Sequence, residues 1–265
     1  IGCNMSAEGV AIASAIAQWV SAILIMIHLL HRKDCCRICL SKLRFHRLAS
    51  KRVLLIGVPS GLQNAIFAVA NLFVQAGLNS FDEITVSGAA AAANADTLVF
   101  NMMAAFYTAC ASFVSRNWGA GRNDRIRKSY YISMLYASIV GAVAGVLLLV
   151  LGRQFLGFFA DKPEVIDAGV DRLRIMAFSY FIAPLMDASI AASRGLGRSV
   201  APTVMVIMGS CVFRVVWIYT VFAFFHTITS LYLLYIVSWV ITGVAEAIYF
   251  RVTYKKCVLQ KTMTW

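Results

Sequence analysis

Long apolar runs alternate with short polar segments along this chain, and the length of the runs carries more meaning than their periodicity. A bilayer core about 30 Å thick needs about 20 apolar residues at a helical rise of about 1.5 Å each. Seven runs meet that criterion: residues 9–30, 53–78, 86–115, 129–151, 173–193, 201–224 and 231–250. The third is long and rich in alanine, so its outer end is expected to tilt or to project beyond the hydrocarbon. The pattern predicts an all-α fold, a polytopic membrane helix bundle with seven transmembrane helices.

Composition agrees. The chain is 60% hydrophobic and 14% charged, with a mean hydropathy of +0.77, whereas a soluble domain carries roughly 25% charged residues. A net charge of +12 would suggest nucleic acid in a soluble protein, but the bases lie between apolar runs rather than on one polar face. The expected partner is therefore the lipid bilayer, and no nucleic acid.

The bases also set an orientation. Arg32, Lys33, Arg37, Lys42, Arg44, Arg47, Lys51 and Arg52 crowd the first loop, and Arg116, Arg122, Arg125, Arg127 and Lys128 the third. Arg194 and Arg198 lie in the fifth, and Arg251, Lys255, Lys256 and Lys261 in the tail. The second loop holds Asp82 and Glu83 without a base, and residues 226–230 hold no Lys or Arg. Positive charge stays on the cytoplasmic side, so the N-terminus of the chain is expected outside and the C-terminus in the cytoplasm of a multi-pass plasma-membrane protein. Residues 153–172 read either as a short interfacial helix started by Pro163 or as an ordinary connection. Residues 42–52 alternate bases with Leu43, Phe45, Leu48 and Ala49, as an amphipathic surface segment or a solvated basic loop would. Opening at Ile1 without a basic leader, the chain is not expected to begin with a signal peptide and reads as part of a longer product.

Candidate chemistry is sparse. Cys35, Cys36 and Cys39 with His31 and His46 lack the second paired ligand set that zinc spacing requires, so no metal is expected. Neither H-E-x-x-H nor G-x-S-x-G nor a phosphate loop occurs, so no enzyme is expected. Ionisable residues in hydrocarbon are costly and face a cavity or a partner. Asp187 lies about 10 Å above the inner end of its helix and Arg214 about 20 Å above that of the next; an ion pair between them and a transport role both fit. Asp96, near the outer third of the third helix, is a further pathway candidate. Glu246 is expected to snorkel to the interface beside Arg251 and Lys255. Gln63, Asn64, Asn71 and Gln75 follow Pro59 on one helix, and Asn94, Asn101 and Thr108 recur on the next. Two such stripes suggest a wet cavity, or hydrogen bonds between helices. Pro59 and Pro184 are expected to kink their helices.

Residues 57–64, Gly-Val-Pro-Ser-Gly-Leu-Gln-Asn, resemble the opening of the seventh helix of MATE (multidrug and toxic compound extrusion) transporters, particularly clostridial-type bacterial members. The resemblance continues through residues 75–81, the alanine-rich residues 88–96 and Ser-Arg-Asn-Trp-Gly-Ala-Gly at 115–121. Arg194-Gly195-Leu196-Gly197-Arg198-Ser199-Val200-Ala201-Pro202 is similar to the family's R-G-x-G-x-S-x-x-P signature. This resemblance implies the sixth helix in residues 1–31, a basic inter-lobe loop in 32–52, the C-terminal six-helix lobe in 53–251 and a cytoplasmic tail in 252–265, with the N-terminal lobe as the missing partner. It implies antiport, in which sodium or proton entry drives export of organic, mostly cationic compounds by alternating access, with no cofactor beyond that ion. Where some members place a glutamate in the seventh helix this chain has about Phe67 or Ala68, and where they place an aspartate in the tenth it has about Ala183. A lipid-linked sugar flippase of the same superfamily and, further off, a seven-helix receptor are the alternatives.

Overall fold

The computed structural model describes residues 7–33, 37–39 and 44–262. Among them no strand occurs, and seven helices are long and apolar enough to cross a membrane. The chain divides into two compact units, Ile1–Ser50 and Lys51–Trp265. The first holds α1 (Ala7–His31), whose last turn is closed by His31 Nδ1 donating to the Ile27 carbonyl at 2.9 Å. Cys35 and Cys36 lie outside the described residues, as do Lys42 and Leu43. From Arg47 onward the expected surface segment is instead the first turn of α2 (Arg47–Leu78), because Leu48, Ala49 and the apolar run behind them continue one helical path.

The second unit contains the remainder of α2, then α3 (Glu83–Gly119), α4 (Asn123–Leu156), α5 (Pro163–Gly195), α6 (Val200–Phe225) and α7 (Ile228–Thr262). At about 1.5 Å per residue the 37 residues of α3 extend about 55 Å, well past the hydrocarbon, as its length predicts. Connections are tight. Asp82 caps α3, accepting from Thr85 N at 3.3 Å and from Thr85 Oγ1 at 2.7 Å. That hydroxyl, first among its contacts, holds the exposed Asp82 carboxyl below the usual carboxylate range. Between α4 and α5 only residues 157–162 are free of helix, so the connecting-loop alternative holds. Pro163 does start a helix, but it starts α5 itself, since its missing N–H is harmless at a first helical position. α6 turns into α7 through His226, whose φ of 46° is left-handed and whose ring packs on Phe81 and Phe222.

The axis of the second unit is α5, which packs against α3, α4 and α7. Met176, Tyr180, Ala183, Met186 and Ile190 of α5 meet Val99 and Met103 of α3, Val206 of α6 and Trp239 of α7 in the central core. Helices in lipid associate by close packing rather than by escape from water, so small residues mark the contacts. Gly141 and Gly145 of α4 form such a pair. A Cβ at Gly141 would lie 2.2 Å from the Tyr180 carbonyl oxygen, and one at Gly145 2.9 Å from that of Ala177. Both prolines sit inside continuous helices. Pro184 has no N–H to offer the Tyr180 carbonyl four residues back, and that is the carbonyl against which Gly141 packs.

In α6, α-helical segments alternate with two π-helical turns, Ile207–Val212 and Ile218–Phe222. The first of these turns presents Gly209 and Ser210 to α7: a Cβ at Gly209 would sit 2.6 Å from Thr242 Oγ1, which lies 2.9 Å from Ser210 Oγ. Between the two π turns, the short segment Phe213–Trp217 carries Arg214 into the interior.

Candidate functional site

Three arginines enter the interior of the second unit, Arg172 over the Tyr232 ring of α7, Arg214 beside Tyr235 and Trp239, and Arg194 on the side of Glu246, and positions 232, 239 and 246 are seven residues apart. Seven residues are two helical turns, roughly 10.5 Å, so these positions mark three rungs along one face of α7.

The first rung lies toward the base-poor end. Arg172 of α5 pairs with Asp96 of α3 at 2.5 Å and donates a second hydrogen bond to the Ala89 carbonyl. The Tyr180 hydroxyl donates to the other Asp96 oxygen, and the guanidinium stands 5.5 Å from the ring centre of Tyr232. Both carboxylate oxygens are therefore engaged. Asp96, a pathway candidate by its position in the sequence, is instead closed off by Arg172, which lies nine residues into α5.

On the second rung Arg214, 1% exposed, donates to Asn71 Oδ1 of α2 at 2.9 Å. Three aromatic faces surround it: Phe67 at 5.1 Å, Tyr235 at 4.6 Å and Trp239 at 6.0 Å. Cation–π attraction, strengthened by exclusion of water, takes the place of a counter-charge. The ion pair between Arg214 and Asp187 that the sequence allowed is not formed. Asp187 lies nearer the base-rich end of α5, and Arg214 turns toward the rings.

The third rung draws polar groups from four helices, α2, α3, α5 and α7. Arg194 of α5 donates to Gln63 Oε1 of α2 at 2.8 Å, with Asp187 one face-repeat back along α5, Glu246 of α7 and Tyr107 of α3 within its electrostatic reach. Glu246 does not snorkel toward Arg251 and Lys255. It is 0% exposed and neither carboxylate oxygen has a hydrogen-bond partner, because it shares a face of α7 with Tyr235, Trp239 and Thr242.

The remaining polar stripe residues behave differently. Asn64, Asn94, Asn101 and Thr108 are exposed although they stand within spans; Asn94 bonds its own helix at Ala90 and Ala91, and Gln75 bonds Asn79. The R-G-x-G-x-S-x-x-P stretch has a physical reason at nearly every position. Arg194 reaches Gln63, and Gly195 lets Val114 and the Ala111 carbonyl approach to where a Cβ would stand. Gly197 takes a φ of 78°, and Ser199 Oγ donates to the Leu55 carbonyl at 2.9 Å. At the same end a groove of about 560 Å³ between α3 and α4 is lined by Arg116, Arg122, Arg125 and Lys128.

The family model described as MatE matches residues 59–220. The chain is 24% identical over 131 residues to the Probable multidrug resistance protein YpnP of Bacillus subtilis, covering 49% of this chain and 29% of that one. It is 24% identical over 168 residues to the Probable multidrug resistance protein NorM of Halalkalibacterium halodurans, covering 61% and 36%. A solved MOP superfamily transporter from Pyrococcus furiosus, described as having a binding pocket of reverse polarity that suggests a different function, superposes with a TM-score of 0.84 at 17% identity, over 94% of this chain and 56% of its own. The matched regions span about a third of the curated relatives, and the chain covers just over half of the solved one.

Proposed function

Since this chain belongs to the MatE family, matched over more than half its length, we propose that it forms one lobe of an efflux transporter that exports organic, mostly cationic compounds in exchange for Na+ or H+. The observation that carries this reading is the uncovered polar stripe of Asn64, Asn94, Asn101 and Thr108. Polar side chains in a span are tolerated where water or protein covers them, and a substrate path between this lobe and a companion lobe would do so. Coverage of 56% of the solved transporter's chain leaves room for that companion. The protein is a carrier rather than an enzyme and needs no cofactor besides its coupling ion.

Transport is tested in a pump-deficient bacterium. These 265 residues alone are expected to confer no resistance to a cationic dye, and the same residues joined to a companion lobe are expected to confer it. In that complete protein Asp187→Asn should abolish ion-driven efflux at normal abundance, because Asp187 is the partly exposed acid of the third rung. Normal efflux by Asp187→Asn removes it from the pathway.

One observation favours a second reading, a flippase-like carrier of anionic, lipid-linked sugars. Arg214 is buried with no acid beside it, and the solved relative from Pyrococcus furiosus is described as having a pocket of reverse polarity. Export of an anionic fluorophore in place of a cationic dye would select it.

We place the base-rich end in the cytoplasm, as the positive-inside rule predicts. Cys39 is exposed, whereas Cys257 is buried and a poor reporter; Lys256→Cys and Glu83→Cys are better probes. In intact cells, in a Cys3→Ser background, a membrane-impermeant thiol reagent should label Glu83→Cys alone, and labelling of Cys39 or Lys256→Cys instead would invert the topology.

A further inference from the structure

The stretch Ser-Arg-Asn-Trp-Gly-Ala-Gly at 115–121 takes no part in the three rungs; it turns α3 into α4 at the base-rich end. Gly121 adopts a φ of 71°, and the Arg122 amide donates to the Asn117 carbonyl at 2.9 Å, so the chain doubles back within the three residues between the helices. Positions 113, 116, 117 and 120 share one face of α3, and 125, 128, 129 and 132 one face of α4, each at spacings of three, four and seven. The turn sets these faces on the two walls of the 560 Å³ groove.

The lining of the groove changes with depth. Phe113 stands six residues before Gly119 and Ile132 nine after Asn123, roughly 9 and 14 Å from the turn, and they remain 55% and 52% exposed. Arg116, Arg122, Arg125 and Lys128 lie nearer the turn, and no acid lines the groove. None of the four bases is paired with an acid among the described residues.

We propose that this groove binds the headgroup of an anionic phospholipid, with the phosphate among the four bases and the start of an acyl chain along Phe113 and Ile132. A phosphate accepts hydrogen bonds from several guanidinium and ammonium groups at once, and basic pockets between spans at the membrane surface suit such headgroups. A soluble anion would satisfy the bases but has no use for two exposed apolar side chains at hydrocarbon depth, whereas a lipid meets both. Four bases exceed the charge of one phosphodiester. A lipid with two phosphates, cardiolipin, should therefore bind more tightly than phosphatidylglycerol, and the zwitterionic phosphatidylethanolamine more weakly than either. The binding does not depend on what the protein transports.

Native mass spectrometry of the full chain, released from detergent micelles, counts bound lipid at each added concentration. Each base near an anionic lipid surface is worth roughly fivefold in affinity, so Arg116→Gln, Arg125→Gln and Lys128→Gln together should weaken cardiolipin binding by about 100-fold. Lys51→Gln, Arg198→Gln and Lys256→Gln remove the same charge from exposed bases outside the groove and should change it by less than about threefold, because distant exposed charges are screened. Inorganic phosphate, added at constant ionic strength, should not displace the lipid. Equal losses in the two triple variants would mean diffuse surface charge, displacement by phosphate would mean a soluble-anion site, and equal binding of cardiolipin and phosphatidylethanolamine would mean no headgroup recognition. Each of these overturns the proposal, and the last two are read on the native chain, so they decide even where a variant fails to accumulate.

Discussion

Replacing Asp96 with asparagine should destabilise the folded protein by about 3–5 kcal/mol, the usual consequence of removing one partner from a buried ion pair. The side chains of Arg172 and Asp96 are only 12% and 11% exposed, so solvent screening offers little relief. Without the carboxylate charge, Arg172 keeps the Ala89 carbonyl and the Tyr232 ring, neither of which cancels a full charge, and the Tyr180 hydroxyl loses a charged acceptor. The measurement is thermal unfolding of purified protein in detergent, followed by size-exclusion chromatography. Arg172→Gln in the Asp96→Asn background should recover most of the loss, because a neutral pair is far less costly than a lone buried cation. A single variant as stable as the native chain would show that water reaches Arg172 and that the first rung is open.

An even more local change should be as damaging. Gly141→Ala adds one methyl group, yet that carbon would stand 2.2 Å from the Tyr180 carbonyl oxygen and 2.9 Å from its carbon. A flexible side chain could move aside; a backbone carbonyl in the middle of α5 cannot without displacing the helix. Overpacking a core typically costs about 1–3 kcal/mol, occasionally more, and here the obstacle is backbone, so the upper end or beyond is expected. Gly57→Ala is the control. Its Cβ would meet nothing within 4 Å, and replacing a helical glycine by alanine is then neutral or favourable by up to about 1 kcal/mol. Equal unfolding temperatures for the two variants would mean that α4 does not lie this close to α5.

The number of spans was legible from run length alone because hydrocarbon imposes its thickness on any helix that crosses it. Boundaries were less so. Pro163 was recognisable as a helix start, but whether that helix lay on the interface or crossed it depended on Leu173 and Met176 finding α3 and α4, which is tertiary information. Interior polar residues divided the same way. Gln63, Asn71 and Arg214 stood out because they interrupt apolar runs. Arg172 and Glu246 did not, since bases and acids close by made both look interfacial. A signal for Glu246 was present: Tyr235, Trp239, Thr242 and Glu246 share one helical face, and a face that carries large rings is turned inward. The Gly141 and Gly145 pair was equally readable as G-x-x-x-G, although which helix it would meet was not. The partner of Arg194 was out of reach, because Gln63 lies 131 positions earlier.

The two π turns of α6 tie the function of that helix to its exact residue count. Each π turn accommodates a residue that an α-helical turn would not, and each such residue displaces everything beyond it by about 100° around the helix axis. Arg214 lies between the turns, so its inward heading depends on the first and is independent of the second. A one-residue deletion among positions 207–212 would convert that turn to α-helix and swing the guanidinium out of its cage of rings, whereas the same deletion among 218–222 would leave Arg214 in place and rotate only the approach to His226. Length variation in this helix among related chains should accordingly be concentrated beyond Arg214, which makes insertions and deletions, rather than substitutions, the sequence record of where this span is permitted to change.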